Sequence, residues 1–109
     1  MSIYEMKWSS AEKKIARVAF DKAYQREMEV IINAIYEKTA KLKNDKDVWA
    51  LHNYLSDRRQ EIDQKYDYCY SQLIIVFSRL LSENYLLEVD LKGLSEDKLQ
   101  AIKKLFSSE

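Results

Sequence analysis

Five side chains in the middle of the chain have the types that chemistry uses: Trp49, His52, Ser56, Arg59 and Asp63. On a helix turning about 100° per residue, their steps of three, four, three and four put them on one row. His52 is the sole imidazole, and Ser56 lies one turn from it, as a hydroxyl nucleophile and its base would. Such pairs arise by chance on helices, and a chain with one glycine suggests no oxyanion loop, so an enzyme with His52 as general base is only the rival class. Asp63 and Asp67 are also one turn apart, but on a charged helix face two hydrated carboxylates are the simpler account than a shared proton. Metal binding fails on inventory. A zinc site needs several ligands, and the single Cys69 lies about 260° of helical rotation from His52. The paired Glu-x-x-His motifs of two-metal helical bundles and any glycine-rich phosphate loop are missing. The expectation is a protein with no catalytic residue, no metal and no cofactor, in which Cys69 is a small buried hydrophobe and Tyr66, Tyr68 and Tyr70 are packing residues with one wet end rather than a pigment cradle.

Contact is what remains for the row to do. Beside it runs an apolar seam, Val48, Leu51, Leu55, Ile62, Tyr66, Cys69 and Leu73, at the spacing of one buried helix face. One seam suffices to fold a helix. A second ordered row holding a Trp, the only His and an Arg either packs on another chain or is a rim of the core with solvated neighbours. Trp and Arg are enriched among interface hot spots, and we read the row as a binding surface.

The elements that must carry it are helices. The 109 residues include no Pro, one Gly, 33% charged and 47% apolar residues with eight Tyr, which describes an all-α chain of one domain at most. Eighteen basic and eighteen acidic residues cancel, leaving no electrostatic footprint for nucleic acid or an acidic membrane surface. The longest apolar run, Leu73 to Phe77, is far short of the roughly 20 residues a membrane helix needs, and no secretory leader or disulfide pair is evident. A cytoplasmic protein without membrane insertion is expected.

In chain order, residues 1–7 read as an arm in which Ile3, Tyr4 and Met6, with Trp8 just after it, are apolar enough to dock on a neighbour. Ser9 and Glu12 form a capping box with Trp8 placed for a hydrophobic staple. An amphipathic helix follows to about Leu42 through Phe20, Tyr24, Met28, Ile31, Ile35 and Leu42, with Glu37 and Lys41 spaced to pair. Lys43 to Asp47 is a polar break in which either Asn44 or Asp45 can cap the next helix. That helix meets no Gly or Pro and is expected to persist to about Glu83. Asn84, Asp90 and Gly93 punctuate an apolar end. A last helix opens at Ser95 with Glu96 and Asp97 in its first turn and Lys103 and Lys104 near its end, burying Leu99, Ile102 and Leu105 or Phe106. The predicted architecture is a stalk of two long amphipathic helices, about residues 9–70, and a small helical head, about residues 71–109. A hairpin with helices of more than thirty residues would expose much of its seam, so homodimerisation is expected.

The run Trp49-x-x-His52-Asn53-Tyr54-Leu55-Ser56, with Arg59, Glu61-Ile62-Asp63 and Lys65-Tyr66-Asp67, resembles the fluorescence recovery protein family. Trp8-Ser9-x-Ala11-Glu12, Lys22 to Glu27, Asp97-Lys98 and Ile102-Lys103 look like further landmarks, so the likeness covers nearly the whole chain from Trp8. It implies an all-helical homodimer that is not an enzyme. Such proteins bind the photoactivated red form of the orange carotenoid protein, speed its return to the orange form, and promote its release from the phycobilisome. Carried over by position, the family's functional Trp, His and Arg fall on Trp49, His52 and Arg59. The neighbouring family Asp is Asn53 here and the following Phe is Tyr54, so an Arg relying on that carboxylate must find another, Asp57 or Asp63. The alternative implied by this departure is a dimeric adaptor of the same kind with a different protein partner.

Overall fold

The computed structural model describes residues 2–108, which are helical with no strand: α1 Ser10–Ala40, α2 Asp45–Lys65, α3 Leu73–Ser82 and α4 Glu96–Ser108, with 3-10 turns at Ile3–Glu5 and Glu88–Leu91. α1 opens on the expected capping box, Ser9 Oγ accepting from the Glu12 amide at 3.1 Å and Glu12 Oε1 from the Ser9 amide at 3.0 Å. The staple does not form, because the residue a staple would meet is Lys13. Trp8 instead docks on the head, 5.8 Å from the Tyr70 ring and beneath Lys98 Nζ at 5.0 Å. Of the two candidate caps for α2, Asn44 is used, its Oδ1 accepting from the Asp47 amide at 3.1 Å. Glu37 and Lys41, spaced to pair, make no ion pair; Lys38 lies over the Tyr54 ring at 4.6 Å.

The core sits at one end, where α3 packs on α4 and α1 lies against α3 and the Glu88–Leu91 turn. Leu73, Ile74, Phe77 and Leu80 of α3, Leu86, Leu91 and Leu94 beyond it, and Ile102 of α4 are buried. α1 contributes Ala16, Ala19 and Ala23, all fully buried, with Phe20. The bulky head residues fill the space, so α1 must bring short side chains to approach closely. The head therefore draws in the first half of α1, and the expected α1 stripe is only partly covered: Phe20 and Ile31 are buried, whereas Tyr24 and Leu42 stay exposed. The arm packs on the core of its own chain through Ile3 and Met6, while Tyr4 stays exposed. In α4 it is Leu105, not the exposed Phe106, that turns inward. Gly93 does adopt a positive φ of 106°, and a Cβ there would lie 2.6 Å from Ile15 Cδ1.

α2 is the element that departs most from expectation, since it stops at Lys65 instead of running to about Glu83. Lys65 Nζ is buried and donates to Glu27 Oε2 at 2.7 Å and to Glu83 Oε1 at 2.6 Å, while Tyr66 OH donates to Glu27 Oε1 at 2.8 Å. A buried ammonium and carboxylate are tolerable only when they satisfy each other, so these bonds fix where α2 ends. Residues 66–72 then lay Tyr66 and Tyr68 edge-on against Phe20, at 5.3 and 4.9 Å, and Tyr70 against Trp8. The Tyr66 hydroxyl is thus bonded rather than wet. Cys69, expected to be buried, is exposed on this segment, its Sγ 3.1 Å from Ser71 Oγ. The α2 seam is corrected likewise: Ile62 is buried, but Val48 and Leu55 are exposed because none of the described residues covers them on the far half of the hairpin.

Candidate functional site

α2 is held at both ends, by the Asn44 cap and by Lys65, which makes it a rigid bar between turn and head. Its row residues lie on the uncovered side. Trp49 is 62% exposed, and its ring meets that of His52 edge-on at 6.1 Å. His52, Asn53 and Ser56 are exposed, and no hydrogen bond joins His52 to Ser56. One to two turns further on, Arg59 Nε donates to both Asp63 oxygens, at 3.2 and 3.0 Å. Of the two carboxylates open to Arg59 from sequence, Asp63 is the one it uses.

The residues do not converge on a point. Trp49 and Arg59 are ten residues apart, about 15 Å along the helix axis, and the set Trp49, His52, Asn53, Arg59 spans an arc of about 120°. The arrangement is two pairs on one flank, an aromatic pair and an ionic pair. It leaves apolar area open at one end and a cation at the other. Among the described residues no three His, Cys, Asp or Glu side chains gather as a metal site, and no helix is long and apolar enough to cross a membrane.

Sequence reasoning missed what adjoins Arg59. Met28, Ile31 and Ile35 of α1 and Leu55, Arg59 and Ile62 of α2 line a recess of about 190 Å³ between the two helices. The three-and-four spacing of Met28, Ile31 and Ile35 was a visible signal, but it reads as ordinary packing until the hairpin shows that the space is left open.

These features define an all-α protein in which a helical hairpin, rooted in a small head, presents an exposed aromatic and cationic flank. Residues 8–106 match the family model described as the photoprotection regulator fluorescence recovery protein, and the chain belongs to that family. It is 40% identical over 101 residues to the fluorescence recovery protein of Synechocystis sp. PCC 6803, covering 93% of both chains. The solved structure of the Fremyella diplosiphon fluorescence recovery protein superposes with a TM-score of 0.88 at 42% identity, covering 94% of this chain and all of that one. The Synechocystis structure gives 0.87 at 39%, covering 91% and 97%. Membership makes the chain one of a family of photoprotection regulators.

Proposed function

We propose that this chain is a non-enzymatic regulator that binds the photoactivated orange carotenoid protein through the α2 flank, accelerates its reversion and promotes its release from the phycobilisome. Trp49 serves as the apolar anchor, His52 as a hydrogen-bonding neighbour and Arg59 as a charge-assisted donor to a partner carboxylate. The observation that carries this reading is a tryptophan left 62% exposed on a rigid helix, edge-on to the only histidine, in a chain of this family. A factor of this kind accelerates a conformational return only by binding the compact or transitional arrangement of its partner better than the opened one. Bridging two partner domains would add to this by raising their effective concentration. We take the working form to be a homodimer in the cytoplasm.

The test adds the protein to photoconverted orange carotenoid protein in the dark and follows the absorbance recovery. Acceleration is expected, and Trp49→Ala should weaken binding by about 2 kcal/mol, roughly thirtyfold. An unchanged time course at excess protein would sink the assignment. One observation favours a second reading: Asn53, exposed beside His52, offers no carboxylate. In that reading the same flank serves a different protein, and a pull-down from the native host that Trp49→Ala abolishes would identify it.

A further inference from the structure

The Arg59–Asp63 pair invites a sharper question, because a solvent-exposed ion pair one turn apart on a helix contributes little to stability. Both side chains are largely exposed, at 79% and 61%, and the pairing uses Nε alone. Nη1 and Nη2 have no partner among the described residues, so the outer edge of the guanidinium keeps four N–H donors in a plane set by Asp63. One side of Arg59 also lines the apolar recess with Leu55 and Ile62, which limits where the stem can go. A free arginine samples many rotamers and must give them up on binding; one already fixed through Nε gives up fewer.

We propose that Asp63 is a positioning residue for the contact flank: it holds the Arg59 fork so that the Nη edge receives a carboxylate of the protein partner in two-point fashion. The proposal rests on the partner-binding reading of α2 and adds the residue that orients its cation and the group the cation accepts. Lysine at position 59 could not replace it, since an ammonium offers no edge to fix and no fork to present.

Charge and positioning predict opposite signs, which makes the idea testable. Asp63 is negative, so if it were a bystander it would repel an incoming carboxylate, and Asp63→Asn would tighten binding. If it positions Arg59, the same substitution weakens binding by about three- to tenfold, the cost of ordering one long side chain. Affinity for photoconverted orange carotenoid protein is measured for the wild type, Asp63→Asn, Asp63→Glu, Arg59→Ala and the Arg59→Ala/Asp63→Asn double variant, with circular dichroism confirming equal helicity. Weaker binding by Asp63→Asn, recovery by Asp63→Glu and no added loss in the double variant support the proposal. Equal or tighter binding by Asp63→Asn overturns it.

If the wild type does not bind that partner at all, the partner assignment falls and a second readout decides this inference separately. The Arg59 Nε–H signal in the NMR spectrum of the free protein should be slowed in solvent exchange relative to Asp63→Asn. Identical exchange in the two would overturn the proposal, because no hold on the fork would then exist.

Discussion

Glu12 shows how one side chain is recruited twice. Its Oε1 closes the capping box, while its Oε2 accepts from the Ser95 amide at 2.9 Å and Lys98 Nζ lies beside it at 3.2 Å. Burial alone would raise its pKa, but the Ser9 and Ser95 amides and the Lys98 ammonium outweigh that and bring it down to about 2. Glu83 and Asp90 shift the same way: burial opposes, and Lys65 with Arg79, or Arg26 with the Leu87 amide, prevails. Because these folded-state values lie below those of the unfolded chain, the unfolded chain binds more protons in the interval between them. Their stabilisation is therefore complete above the ordinary carboxylate range near pH 4 and is lost as pH falls toward about 2. Urea midpoints should be level between pH 7 and 5 and drop steeply below 4. Glu12→Gln should cost about 2 kcal/mol at pH 7 and flatten that acid slope. The local half of this arrangement was legible, since Ser and Glu three residues apart announce a capping box. The other half was not, because Ser95 and Lys98 lie more than eighty residues away and no spacing rule reaches that far.

Among the elements, α1, the polar break and α4 could be read from sequence because their limits are set locally, by Ser9, by Asn44 and by the acidic first turn after Ser95. The end of α2 could not. Ile62, Tyr66, Cys69 and Leu73 keep helical spacing through it, and what interrupts the helix is a set of contacts from α1 and from the end of α3 onto Lys65 and Tyr66. The exposure and register of the Trp49 to Asp63 row were legible, while the recess beside Arg59 was not, since its openness depends on the hairpin geometry. A prediction belongs to this junction. Lys65→Met leaves Glu27 buried without its cation and should destabilise the fold by about 3 kcal/mol, read as a lowered thermal midpoint. Replacing Glu27 by Gln in the same chain should recover part of that loss, because the uncompensated charge is then gone. If instead Lys65→Met alone proved neutral, the ionic junction would not be what fixes the end of α2.

As a whole the molecule is a rod, 55 × 23 × 21 Å, with a radius of gyration of 16.8 Å where a compact chain of this length would have about 13 Å. The core accounts for only one end of it. Along the rest, Val30, Ile32, Tyr36, Val48 and Leu55 are exposed, a concentration of apolar surface that a single copy of a small protein does not ordinarily leave in water. A second copy laid along the hairpin is the simplest cover consistent with the expected homodimer. Micromolar association needs about 8 kcal/mol net, and fully burying an aliphatic side chain contributes about 1.5–3 kcal/mol, so a handful of these residues from each copy supplies enough to offset the loss of translational freedom. Leu55 is the informative position, because it is exposed in the single chain and lies outside the buried cluster of the head. Sedimentation velocity at micromolar concentration should show a dimer for the wild type and a folded monomer for Leu55→Asp, with a shift in dissociation constant of at least a hundredfold. A monomeric wild type at that concentration would exclude the dimer, and a dimeric Leu55→Asp would move the interface to another side of the rod.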